Sequence, residues 1–285
     1  MSVASVHESD QPRADRAHQS PDVRALSASF VKTAFGLAVP WIVPFVLISL
    51  WQIGSVLGFI AVDILPSPLD VARAAINLTA SGELPHHIAV SFKRAISGFA
   101  VGGSLAFTLG LTNGLSPLSH KLTDTTIQMI RNIPNLSLIP LVILWFGIGE
   151  EAKLVLTSLG VFFPVYINTF HGVRTVDPQL IEMGRSYGMS RFAQFHKIIL
   201  PAALPSIFVG VRYGLGVMWL TLIVAETLAA NAGIGYLATQ AREFMLIDVV
   251  VVAIIIYALL GKVADSFVRV LERLCLSWHP AFQKG

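Results

Sequence analysis

Residues 177–205 read DPQLIEMGRSYGMSRFAQFHKIILPAALP, a polar interruption in an otherwise hydrophobic chain. Arg185, Arg191, His196 and Lys197 stand here between two long apolar segments. Two short helices are expected. Asp177 suits an N-cap, Pro178 a first helical position, and Gly188 the residue just past a helix end. Ser190 suits a second cap, and the helix it opens is expected to stop at the Leu200-Pro201 junction. A folded helical pair on a chain that otherwise belongs in lipid is a docking surface for something outside the membrane.

The rest of the chain does belong in lipid. Of its 285 residues 54% are hydrophobic and 13% charged, with a mean hydropathy of +0.69. A soluble chain carries roughly 45–50% apolar and about 25% charged residues. Six apolar runs have the length of about 20 residues that a bilayer core requires. They are expected at residues 37–60, 89–115, 126–146, 152–170, 206–229 and 248–268. The fold class is therefore all-α and polytopic. Residues 1–33 are polar with no apolar run, so they read as a disordered tail and not as a signal peptide. The single cysteine, Cys275, excludes an internal disulfide.

Orientation follows from positive charge. With the N-terminus inside, thirteen Lys and Arg fall on the inner side, among them Lys32, Lys121, Arg174, Arg185, Arg191, Lys197, Lys262 and Arg269. Five fall outside: Arg73, Lys93, Arg94, Lys153 and Arg242. Both termini and the 177–205 stretch are thus expected in the cytoplasm. The net charge of +3 is explained by this asymmetry, and no nucleic acid partner is expected. Lys93 and Arg94 begin the second span and are expected to snorkel to the outer headgroups. Outside, Ser67 and Pro68 suit the start of a short interfacial helix, and residues 231–235, NAGIG, break the helix after the fifth span.

Within the spans, Gly98/Gly102, Gly110/Gly114 and Gly210/Gly214 recur at four-residue spacing. Such pairs let helices approach closely, within one subunit or across a dimer. The third span carries Pro134 and Pro140 near Asn132 and Asn135. A proline-bent helix with amides beside it suits a pathway lining, so Asn132, Asn135 and Pro140 are candidate pathway residues. Glu226, near the outer end of the fifth span, is a candidate gate residue, because an ionisable group inside a span is functional by default. Its bland alternative is a carboxylate at the interface, paired with Lys93 or Arg94.

Soluble-enzyme chemistry is absent. The sequence holds no G-x-x-x-x-G-K-[ST] phosphate loop, and Gly261-Lys262 continues with Val263. His86 and His87 are adjacent, which points them to different helix faces, so no metal site is expected.

The polar stretch also carries a longer pattern. Glu182-Met183-Gly184, then Gly188, then, after nine intervening residues, Ile198-Ile-Leu200-Pro201, resembles the EAA loop of permease subunits of bacterial ABC importers. Met183 and Gly184 stand where that family usually has alanines. Arg131-Asn-Ile-Pro, Ile139-Pro-Leu-Val-Ile-Leu-Trp-Phe-Gly-Ile, Phe163-Pro-Val-Tyr-Ile-Asn-Thr, Trp219-Leu-Thr-Leu-Ile-Val-Ala-Glu and Gly233-Ile-Gly-Tyr-Leu extend the resemblance to the nitrate/sulfonate/taurine branch. Within that branch the chain looks most like the aliphatic sulfonate permeases.

The resemblance implies a type I ABC importer permease fold and a multi-pass chain of the bacterial inner membrane. It implies a tail at 1–33, a first helix with a periplasmic segment at 34–84, a permease core at 85–270 with the EAA loop at 172–205, and a C-terminal tail at 271–285. It implies two ATPase subunits that bind ATP and Mg, a periplasmic substrate-binding protein, a second permease copy and the lipid as partners. The chain itself would be non-catalytic and hold no cofactor. Glu182, Met183, Gly184, Gly188, Ile198, Leu200 and Pro201 would couple to the ATPase. Taurine, nitrate or a thiamine precursor are alternative cargoes. A self-contained secondary transporter would need ionisable pairs at mid-membrane, and a membrane-embedded enzyme a catalytic constellation.

Overall fold

The computed structural model describes Val39 and residues 42–278. The expected tail at 1–33, and the charges within it, lie outside the described residues. The described chain is helical: α1 (Ile42–Val56), α2 (Pro68–Ala80), α3 (Glu83–Leu115), α4 (Pro117–Arg131), α5 (Ile139–Phe146), α6 (Glu150–Arg174), α7 (Pro178–Ser186), α8 (Arg191–Gln194), α9 (Leu200–Ala229), α10 (Ile234–Glu243) and α11 (Ile247–Cys275).

Three of these form the centre. α3, α6 and α9 run side by side, and glycines set how closely. A β-carbon on Gly98 would stand 2.5 Å from Thr157 Cγ2, and one on Gly110 would stand 2.9 Å from the Tyr166 carbonyl oxygen. Gly102 lies against the Ser158 backbone and Gly114 against Val173. On α9, Gly210 abuts Pro164 and Asn168, while Gly214 abuts Val161 and Val165. All three glycine pairs therefore pack onto α6 of the same chain, which settles the open choice between bundle and dimer interface in favour of the bundle. Tyr166, Val161, Met218 and Leu222 fill the core between them.

Among the described residues, four helices are long and apolar enough to cross a membrane: α3, α6, the run from Arg191 to Leu228, and α11. α1, as described, has the apolarity of a span over a shorter length. The expected third span is broken. α4 and the segment Asn135–Phe146 meet at 85°. Asn132 closes α4, Pro134 has no N–H to continue it, and a 3-10 turn, Asn135–Leu138, leads into α5. The prolines thus divide this span and do not merely bend it.

Several buried polar groups find partners inside the bundle, which lipid favours. Asn113 of α3 donates to Thr123 of α4 and to the Tyr166 hydroxyl of α6, at 2.7 and 2.8 Å. Arg212 of α9 pairs with Asp265 and Glu272 of α11. Ser67 caps α2 as expected, accepting from the Asp70 N–H at 3.2 Å.

Candidate functional site

The polar stretch folds as its residues dictate. The Asp177 carboxylate accepts the Gln179 N–H at 2.8 Å and opens α7. Gly188 ends it at φ +71°, a left-handed conformation that glycine adopts freely. Ser190 Oγ accepts the Ala193 N–H at 3.2 Å and opens α8. Gly184 is the contact between the two arms: a β-carbon there would meet Ile198 Cδ1 at 2.7 Å and Gln194 Cγ at 3.5 Å. Glu182 and Met183 are exposed, while Ile198, Leu200 and Pro201 are half-buried at the base of the loop. Tyr187 and Phe192 stand 81% and 71% exposed beside them.

One expectation fails here. The second arm does not stop at Leu200-Pro201. It continues through a π-turn, Phe195–Ile199, into α9, so a single helix runs from Arg191 to Leu228. Proline is tolerated because the turn before it is already off the α-helical hydrogen-bond pattern: the Leu200 N–H reaches back to the Phe195 carbonyl.

At the other end of α9 lies Glu226, 1% exposed. Of the two partners expected for it, Lys93 and Arg94, it takes Arg94. Its carboxylate accepts four donors from three helices besides its own. Ser91 and Arg94 of α3 reach it at 2.8 Å each, Tyr257 of α11 at 2.8 Å, and the Gly235 N–H of α10 at 3.0 Å. Arg94 is turned inward and does not snorkel. Its Nη1 also donates to the Ala232 carbonyl at 2.5 Å, while its Nε and Nη2 fork onto Glu150 of α6 at 2.7 and 2.6 Å. Lys153 adds a third contact to Glu150 at 3.0 Å.

The arrangement serves the start of α10. Gly233, its cap, has no side chain to offer the free N–H groups of a helix N-terminus. Neighbouring helices supply the acceptors instead. Gly233 N–H goes to His87 Nδ1 at 3.0 Å, Ile234 N–H to Ser91 Oγ at 2.9 Å, and Gly235 N–H to Glu226. His87, Ser91 and Arg94 are spaced four and three residues apart on one face of α3. The carboxylate also lies at the positive end of the α10 dipole. The pair Glu226–Arg94 therefore fixes the segment that joins the fifth and sixth spans. A cavity of about 340 Å³ opens beside this segment, lined in part by Asn231, Tyr236, Thr239 and Gln240.

The other pathway candidates are not part of this network. Asn132 and Pro140 are exposed and Asn135 is half-buried at the break before α5. None of the donors to Glu226 comes from them. α5 nonetheless approaches, since Ile139 and Val142 pack with Ala225. Sequence reasoning missed His87, Ser91, Glu150 and Tyr257. The i, i+4, i+7 spacing of His87, Ser91 and Arg94 was a usable signal, whereas Tyr257 lies 31 residues from Glu226 and joins it only through the fold.

A glycine-zipped helical bundle with an exposed helical loop at one end and a buried ion-pair network at the other is a membrane component that works with partners. The chain belongs to the family of binding-protein-dependent transport system inner membrane components, whose model matches residues 98–275. It is similar to the putative aliphatic sulfonates transport permease protein SsuC of Escherichia coli (strain K12), at 59% identity over 85% of this chain and 92% of that one. The protein of the same description from Bacillus subtilis (strain 168) is 43% identical over 85% and 88%. The taurine transport system permease protein TauC of Escherichia coli (strain K12) is 34% identical over 84% and 88%.

Proposed function

We propose that the chain is the membrane-spanning permease of an ATP-driven importer of aliphatic sulfonates. It works as a homodimer that receives cargo from a periplasmic binding protein and is driven by two separate ATPase subunits. ATP and Mg bind to those subunits, and this chain carries out no catalysis. The observation that supports the cargo is the 59% identity to an aliphatic sulfonates permease across nearly the whole of both chains, against 34% to a taurine permease. The exposed patch of Met183, Tyr187 and Phe192, held by the Gly184–Ile198 contact, supports the loop as the ATPase docking face. In that role Glu182, Met183, Gly184, Gly188, Ile198, Leu200 and Pro201 form the coupling element.

The buried Arg94–Glu226 pair is the kind of feature a secondary transporter uses as a switch. Here its groups are committed to backbone amides and to Glu150, which favours a fixed strut at the outer gate over a proton carrier. The test of cargo is growth. A strain that lacks this chain and other sulfonate uptake systems should fail on ethanesulfonate as sole sulfur source and grow on sulfate. Normal growth on ethanesulfonate would refute the assignment.

A further inference from the structure

We propose that the π-turn Phe195–Ile199 is a register device that keeps the docking loop and the Glu226 site on one seam of a single helix. The inference rests on the loop being the ATPase docking face. The helix from Arg191 to Leu228 has 38 residues, a rod of about 57 Å at 1.5 Å per residue. Its foot is held at Gln194 and Ile198, both against Gly184 of α7. Gln194 is 6% exposed and donates to the Met189 carbonyl at 2.9 Å. Its shaft is held at Ala203, Gly210, Gly214 and Met218, all against α6. Its head is Leu222 and Glu226, buried at 0% and 1%.

The spacing of these contacts carries the argument. From Ala203 to Glu226 the buried face, including Ile207, advances in steps of three or four, the period of an α-helix. From Ala203 back to Ile199, which packs with it, the step is four. From Ile199 back to the buried Gln194 the step is five, and that step crosses the π-turn. A five-residue step in an α-helix would turn the face by about 140°, whereas a π-turn absorbs the additional residue. Without it the loop would be rotated by about 100° about the rod axis relative to the shaft. Pro201, which has no N–H for the Lys197 carbonyl, holds the turn open. π-turns of this type cluster at functional sites.

The device is a matter of length and not of side-chain identity, and this sets the test. Lys197 is exposed within the turn. The permease is reconstituted in proteoliposomes with its ATPase, and binding protein and labelled ethanesulfonate are added outside. Deletion of Lys197 should leave insertion and thermal stability at wild-type level, because the shaft is unchanged. Uptake should fall by about tenfold or more, with either weaker ATPase association or more ATP hydrolysed per ethanesulfonate imported. Lys197→Ala, which keeps the length, should transport normally. If the deletion fails to fold, an alanine inserted after Lys197 shifts the register the other way and is read in the same assays. Wild-type uptake and coupling in the folded length variant, or equal impairment in Lys197→Ala, would overturn the proposal. A wild-type chain that does not co-purify with the ATPase would instead refute the docking role of the loop.

Discussion

Gly233 lies so close to the Glu226 carboxylate that a β-carbon on residue 233 would overlap the carboxylate oxygens. Its φ of +116° is also one that side-chain-bearing residues rarely adopt. Gly233→Ala should therefore displace either the carboxylate or the turn, at about 1–3 kcal/mol for the backbone strain alone. Thermal unfolding in detergent should show a lower midpoint and uptake should drop. Gly216→Ala, with nothing within 4 Å, should leave both unchanged. Equal behaviour of the two variants would argue against the packing described.

Glu226 and Arg94 should be energetically coupled. Glu226→Ala leaves Arg94 half-partnered and orphans the Tyr257 hydroxyl and the Gly235 N–H. Breaking a buried pair in this way typically destabilises by about 3–5 kcal/mol. The double variant Glu226→Ala/Arg94→Ala should be less destabilised than the two single losses added together. Strict additivity of the unfolding midpoints would show that the pair does not act as a unit.

The loop glycine acts through backbone conformation alone. Gly188 has open space around its β position but sits at φ +71°. A β-branched residue there carries a penalty of about 1–2 kcal/mol for left-handed backbone. Gly188→Val should reduce recovery of the ATPase on affinity-tagged permease while leaving expression and membrane insertion intact. Full recovery of the ATPase would count against the assigned contact.

Neighbouring glycines of α3 should differ sharply. A β-carbon on Gly102 would overlap the Ser158 backbone, 2.7 Å from its Cα, whereas the nearest atom to one on Gly103 is 3.7 Å away. Gly102→Ala should force α3 from α6 and lower the unfolding midpoint by several degrees, roughly 1–3 kcal/mol of overpacking. Gly103→Ala should be neutral.

The order of the apolar segments and the caps of the polar loop were legible from local chemistry, because Asp177, Gly188 and Ser190 act on their own chain neighbours. The proline content of the third span was legible too, but not its division at Asn132–Pro134, which depends on what the two halves pack against. The Leu200-Pro201 junction misled, because the π-turn carries the helix through it, and α6 and α9 likewise run through Pro164 and Pro205. Glu226 was singled out as a charge within a span, and Arg94 was named as one of two partners for it, but Ser91, Tyr257 and the Gly235 N–H were not legible. Arg94, not Lys93, satisfies it, a choice made by the packing of α3 on α6 and α9.

The borrowed capping of α10 has a consequence for biogenesis. Its amide acceptors come from His87 and Ser91, made early, and from Glu226, whose own position depends on Tyr257 in the last helix. As the chain is made, residues 230–246 leave the ribosome before α11 does. That segment must wait, unassembled, for the end of synthesis. A chain truncated before Tyr257 would carry all the glycine seams of the core and still leave the cap of α10 unfinished.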